Sequence, residues 1–137
     1  MNTKKTTLIQ AIKYGVVGIS NTFITFIVIT LMIKLLGYSD FISNIVGYIA
    51  GVVNSFIWNK KWTFSDSTGW KNSLIRFLLA FGVCYVIQYG LVMILNKNLT
   101  IDHIYNHYIG MVFYTAINFF ANKYYVFKET EKKYSKI

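Results

Sequence analysis

The sequence predicts an all-α membrane protein with four transmembrane helices, arranged as two parallel two-helix repeats. Three observations predict it. The 137 residues are 55% hydrophobic and 18% aromatic but only 14% charged, with a mean hydropathy of +0.44, which leaves more apolar surface than a soluble domain of this size can keep from water. The apolar residues gather into four runs, each close to the roughly 20 residues a helix needs to cross a hydrocarbon core of ~30 Å. The chain also overlays on itself at an offset of 63 residues, which sets the first two runs on the last two. Little chain is left over, so one membrane domain, 13–127, is expected between a cytoplasmic N-terminal segment, 1–12, and a basic cytoplasmic tail, 128–137.

The first span is Tyr14 to Leu36, apolar except for Asn21 and scattered Ser and Thr, whose hydroxyls can bond to their own helix backbone. Lys4 and Lys5 precede it, yet the run is longer than a signal peptide's and ends without a small-residue cleavage pattern, so it is expected to be retained. Lys34 near its far end can snorkel to the headgroups. Gly37-Tyr38-Ser39-Asp40 turns the chain into the second span, about Phe41 to Trp58. There Gly47, Ala50, Gly51 and Ser55 recur at spacings of three and four, a face that lets a neighbouring helix approach closely. Asp66, Ser67, Thr68 and Gly69 mark a loop. The third span, Leu74 to Leu95, contains Gln88 and has Arg76 near its entrance. After an outer turn, Asn96 to Asn106, the fourth span runs from about Tyr105 to Ala121. His107 and Asn118 make it the weakest of the four, although Ile109 to Phe120 is strongly apolar. Proline is absent, so any break in a helix comes from glycine or polar residues.

Charge sets the orientation. Of the fourteen Lys and Arg residues, all but Lys34 and Lys97 fall on the N-terminal, central-loop and tail side, which the positive-inside rule makes cytoplasmic. The formal net charge of +9 therefore reports topology rather than nucleic acid, because the cations are spread over three membrane-flanking segments. Cys84 is a single cysteine inside an apolar run, with no partner for a disulfide and no cysteine cluster for a metal. No cofactor is expected.

The overlay at 63 residues is densest at the cytoplasmic ends of the spans. Lys13-Tyr14 falls on Arg76-Phe77 and Gly47 on Gly110. The pattern Phe-x-x-Asn-Lys-x-aromatic-x-Phe occurs twice, as Phe56, Asn59, Lys60, Trp62, Phe64 and as Phe119, Asn122, Lys123, Tyr125, Phe127. Each half has an even number of spans, so both enter from the same side and an axis along the membrane normal relates them. Such an arrangement would set two basic-aromatic entrances near two Asn-Lys exits, a cationic and hydrogen-bonding ring at the cytoplasmic interface. Lys and Arg supply charge and donors to phosphate oxygens, Asn adds amide donors and acceptors, and the aromatics can stack on a sugar ring or sit at headgroup level. That chemistry suits a phosphate-bearing lipid headgroup. Basic and aromatic residues at span ends also serve any membrane protein as interfacial anchors; the repeated spacing of Asn59 and Asn122 is what anchoring does not require. Asn21, Asn54, Gln88 and Asn118 lie inside spans, where they either bond helix to helix or line a pathway.

These residues together resemble the GtrA-like family of small four-span bacterial membrane proteins, over nearly the whole chain from Lys13 to Phe127. The resemblance is carried by Lys13-Tyr14 with Gly18-x-x-Asn21-Thr22, by Asn54-x-Phe56-x-x-Asn59-Lys60-x-Trp62-x-Phe64, by Arg76-Phe77, and by Asn118-Phe119-x-x-Asn122-Lys123-x-Tyr125-x-Phe127. Lys-Tyr stands where Arg-Phe is more usual at the first entrance, and Asn-Lys where Asn-Arg is common, which keeps the charge but gives up bidentate phosphate geometry. The resemblance implies a part in cell-surface polysaccharide synthesis, moving a polyprenyl-phosphate-linked monosaccharide, typically undecaprenyl phosphate glucose, between leaflets of the bacterial inner membrane for glycosylation of O-antigen, teichoic acid or another glycan. It implies membrane glycosyltransferases as partners besides the membrane lipids themselves. In that reading Lys13, Arg76, Lys60 and Lys123 bind the lipid phosphate, Asn59 and Asn122 fix its orientation, and Asn21, Asn54 and Asn118, with Trp62 and Tyr125, attend the sugar along its path. Four short helices enclose little volume, which makes a homo-oligomer, most simply a dimer, a reasonable form for the carrier.

Related domains also anchor polyprenyl-phosphate sugar synthases, so a non-transporting anchor or assembly subunit is the first rival. A small cation exporter is the second, but it would use an acid within a span, and Asp40, Asp66, Asp102, Glu129 and Glu131 all fall in loops or the tail. An enzyme is the third; neither paired carboxylates nor a nucleophile-base pattern appears, and His103 with His107 is too small a set for a metal site.

Overall fold

Absence of proline lets each apolar run close its helical hydrogen bonds from end to end, and a computed structural model of the chain, describing residues 3–127, has a helix on every run. Helix α1 is Thr3–Lys34, α2 Asp40–Trp58, α3 Trp70–Asn98 and α4 His103–Ala121. Three stretches, Lys4–Lys34, Asp40–Thr63 and Trp70–Asn98, are long and apolar enough to cross a membrane. α4, at 19 residues, rises about 28 Å, but His103, Asn106 and His107 dilute its opening turns. α1 begins well ahead of the apolar run, because nothing between Thr3 and Lys13 breaks a helix; most of the segment 1–12 is its first turns. The basic tail, 128–137, lies outside the described residues.

The chain divides into two compact units, one ending at Ser65 and the other starting at Asp66. In the first, α1 and α2 run antiparallel, as their paired positions show: Ile29 meets Gly47, Thr25 meets Gly51, Asn21 meets Asn54 and Lys13 meets Trp62. Glycine is required at the seam. A Cβ on Gly47 would lie 2.5 Å from Ile29 Cγ1, and one on Gly51 2.6 Å from Thr25 Oγ1. The close approach lets Thr25 Oγ1 donate to the Gly47 carbonyl at 3.2 Å, so backbone and side chain substitute for the water that lipid excludes. Gly37, at φ +69°, makes the reversal that L side chains resist, and Ser39 caps α2 by accepting from the Ile42 amide.

The second unit repeats this packing. A Cβ on Gly110 would lie 2.5 Å from Val92 Cγ2 and 3.0 Å from Gln88 Nε2, and Val92 and Gln88 are the offset equivalents of Ile29 and Thr25. The ring pair Tyr14–Phe64, with centroids 6.4 Å apart, returns as Phe77–Phe127 at 6.2 Å. The repeat is therefore one of contacts as well as letters. At the far turn Asn106, fully buried, donates to Asn96 Oδ1 at 2.8 Å, and Asp102 accepts from the Ile104 amide to start α4. Buried apolar residues concentrate where the two-helix units end in the Asn-Lys motifs, at Phe56, Phe64, Phe77, Phe119, Val126 and Phe127. Elsewhere large apolar side chains such as Phe23, Phe26, Tyr48 and Val86 face outward, as a lipid solvent allows.

Candidate functional site

Both Asn-Lys motifs do the same thing to the backbone. α2 passes into a π-helical turn, Asn59–Thr63, and α4 into another, Asn122–Val126. Phe64 N–H donates to the Asn59 carbonyl at 2.9 Å and Phe127 N–H to the Asn122 carbonyl at 2.9 Å. Such i to i+5 turns hold one residue more than an α turn and recur at functional sites. The wider turn brings residues five apart onto one side. That explains the motif's spacing: Asn59 with Phe64, and Asn122 with Phe127, are all buried, none more than 1% exposed.

The two asparagines use their amides alike. Asn59 Nδ2 donates back one turn to Ser55 Oγ at 3.1 Å; Asn122 Nδ2 donates to the Asn118 backbone carbonyl at 2.7 Å and to Asn118 Oδ1 at 3.2 Å. A flipped Asn122 amide would press two carbonyl oxygens together, so its orientation is fixed by chemistry. Each is left with a buried Oδ1 that has no hydrogen-bond partner among the described residues. Gln10 Oε1, Thr63 Oγ1 and Arg76 Nε are in the same condition, and all five belong to the Asn-Lys ends of their units. The sixth such atom, Asn106 Oδ1, is at the opposite turn. A buried polar atom without a partner costs about 1–3 kcal/mol, so its concentration at one end calls for an explanation.

Each unit also has cations there. Lys13 Nζ donates to the Trp62 carbonyl at 3.2 Å and lies 5.2 Å from the Trp62 ring centroid, leaving two N–H donors without acceptors among the described residues. Lys60 is buried, 2% exposed. In the second unit an Arg76 Nη donates to Thr68 Oγ1 at 3.1 Å, and Lys123 Nζ lies 5.6 Å from the Tyr124 ring centroid. Thr68 belongs to a knot the sequence did not announce: buried Asp66 accepts from Thr68 N–H at 3.0 Å and from Ser73 Oγ at 2.6 Å. The knot settles the start of α3 and the approach of Arg76.

The in-span asparagines separate. Asn54 Nδ2 donates to Asn21 Oδ1 at 2.6 Å and to Ser20 Oγ at 2.8 Å, a bond from helix to helix. Asn118 is bonded to Tyr114 and Asn122 on its own helix. Trp62 and Tyr125 hold equivalent, exposed positions in their π-turns. Sequence reasoning passed over Gln10 and Thr63; the offset gives a signal for the first, since Gln10 precedes Lys13 as buried Ser73 precedes Arg76. For Thr63 no signal exists, because its partner position is Val126.

Residues 13–127 match the family model described as the GtrA/DPMS transmembrane domain. The chain is also similar to the uncharacterized membrane protein YngA of Bacillus subtilis (strain 168), with 30% identity over 127 residues that cover 88% of this chain and 80% of that protein.

Proposed function

The chain belongs to the GtrA/DPMS transmembrane-domain family, membrane proteins linked to polyprenyl-phosphate sugar handling, and from that premise we propose that it translocates a polyprenyl-phosphate-linked monosaccharide across the bacterial cytoplasmic membrane to supply cell-surface glycosylation. The observation that carries the reading is the pair of π-turn asparagines, each buried and each with an unpartnered carbonyl oxygen. An acceptor in that condition suits a hydroxyl donor of the headgroup rather than an anionic oxygen. The phosphate falls to the cations: Lys13 and Lys60 in one unit, Arg76 and Lys123 in the other. Arg76 adds a buried Nε donor with no partner among the described residues.

In this mechanism the chain makes and breaks no covalent bond. The obstacle to crossing is desolvation, which for an anion in a low-dielectric medium amounts to several kcal/mol. Within a unit a cation neutralises the phosphate, the buried carbonyl of Asn59 or Asn122 replaces water at a headgroup hydroxyl, and the polyprenyl tail stays in lipid throughout. A membrane glycosyltransferase on the far side would consume the cargo.

Proteoliposomes containing the purified chain and a polyprenyl-phosphate glucose test this, by following accessibility of the sugar to an impermeant oxidant. The wild-type chain is expected to expose inner-leaflet sugar faster than empty vesicles, and Asn59→Leu or Asn122→Leu to lower that rate about tenfold, the worth of one buried hydrogen bond to a polar ligand. No difference between wild type and empty vesicles would overturn the reading. That same absence of translocation, alongside loss of association with a glycosyltransferase in the variants, would make the chain an assembly subunit instead.

A further inference from the structure

We propose that the sugar of this cargo is bound by the first helix pair, in a groove along the α1–α2 seam, and that the second pair has no counterpart. The inference rests on the translocation reading and assigns the monosaccharide subsite within it. The groove, about 380 Å³, is lined by Val17, Ser20, Ile24, Asn54, Trp58 and Trp62. Its volume lies within the range of small-molecule sites.

Three features fit a pyranose. Trp58 and Trp62, 47% and 40% exposed, offer indole faces and N–H donors, the combination of apolar body and polar handle that matches a sugar's C–H face and its rim of hydroxyls. Asn54 directs its Nδ2 to Asn21 and Ser20, so its Oδ1 accepts nothing from the described residues, and the Ser20 hydroxyl proton likewise has no acceptor among them. One acceptor and one donor are thereby held ready by the helix pairing itself. At the rim, Lys13 sits against Trp62 with two N–H donors still available, which sets the phosphate beside the sugar as their covalent linkage demands.

The groove also has a floor. From Lys13 to Ile24 α1 rises about 16 Å, roughly half of a ~30 Å hydrocarbon core. Beyond Ile24 the helices close, because Gly51 and Gly47 admit Thr25 and Ile29 at distances that exclude a Cβ. The second unit lacks the chemistry. At the offset of 63, Ser20, Ile24, Asn54 and Trp58 become Val83, Ile87, Ile117 and Ala121, which leaves Tyr125 as the one polar side chain at these equivalent positions. Of the in-span amides there, Gln88 lies against Gly110, and Asn118 is turned to Tyr114 and Asn122.

The test compares two probes on the full chain in lipid nanodiscs, a short-chain polyprenyl-phosphate glucose and the same polyprenyl phosphate without sugar, by calorimetric titration. The wild type is expected to bind the sugar-bearing probe about tenfold more tightly, the yield of one or two hydrogen bonds and a stacking contact. Trp58→Leu and Asn54→Leu should each bring that ratio close to one while the sugarless probe binds as before. Because Asn54 also ties the helices together, Trp58→Leu, whose side chain is half exposed, guards against misfolding. A ratio that survives both substitutions, or that Asn118→Leu abolishes instead, overturns the subsite and leaves the translocation reading intact. Failure of both probes to bind the wild type overturns the two together.

Discussion

An asparagine in a membrane helix can serve as a strut, as a contact or as both, and what each of its atoms does decides which. Asn54 is a strut through its Nδ2, which donates across to Asn21 and Ser20. Removing it strands Asn21 Oδ1, and interhelical bonds of this kind are worth about 0.6–1.7 kcal/mol. A double-mutant cycle with Asn21→Leu and Asn54→Leu, read by chemical or thermal unfolding in detergent, should return a coupling of that size; a value near zero would remove the strut. Asn59 is the opposite case. Its carbonyl is buried without a partner, so Asn59→Leu gives up a bond of about 0.5–1.5 kcal/mol to Ser55 but also relieves an unsatisfied acceptor costing about 1–3 kcal/mol. The expected outcome is an unchanged or raised Tm together with lost translocation. A large fall in Tm would make Asn59 an architectural residue and weaken its assignment to the headgroup.

At the scale of elements, the antiparallel pairs were legible because two independent signals agreed: apolar runs of spanning length, and glycines at Gly47, Gly51 and Gly110. Gly18 shows why the letter alone is insufficient. A Cβ there would meet nothing within 4 Å, whereas at Gly47 and Gly110 it would meet Ile29 or Val92 at 2.5 Å. Gly18→Ala should leave the Tm unchanged or raise it, as a helix gains up to ~1 kcal/mol from the exchange. Gly47→Ala and Gly110→Ala should lower stability by about 1–3 kcal/mol through overpacking, measured by the same unfolding assay. The π-turns were not legible. Nothing in the residue types separates an i to i+5 closure from a frayed α-helical end; only the structure shows that Asn and Phe five apart share a side. Their geometry makes a sharp prediction. Deleting Lys61, whose side chain is exposed, would convert the first turn to an α turn and rotate Trp62, Thr63 and Phe64 by about 100°. Phe64 would leave its place beside Tyr14, and large apolar side chains lost from a core cost about 3–5 kcal/mol. The deletion should therefore destabilise the chain far more than any single substitution at that position; equal effects would show that the π-turn carries no packing.

For the whole molecule, hydropathy and the offset of 63 residues revealed four helices and two halves, since lipid imposes length and apolarity on every span. The candidate site was half legible. The Asn-Lys spacing marked Asn59, Lys60, Asn122 and Lys123, but the burial of Lys60, the mutual bonding of Asn21 and Asn54, and the Asp66 knot depend on contacts that no local pattern encodes. Orientation is a further whole-chain property, and the distribution of cations argues it. Lys60, Lys61, Lys71 and Arg76 surround the link between the units, whereas the turn between α3 and α4 has Lys97 alone. Because translocation of each flanking cation is opposed, the link is expected on the cytoplasmic side. Replacing Cys84 with Ser leaves a chain without cysteine, in which Asn72→Cys or Thr100→Cys reports one side each; both positions are exposed. In intact cells an impermeant maleimide should modify the cysteine at 100 and spare the one at 72 until the membrane is opened. The reverse pattern would invert the topology and put the Asn-Lys clusters on the outer face, where a carrier that loads in the cytoplasm has no use for them. Labelling at both positions from outside would mean that α3 fails to span, and with it the two-pair architecture.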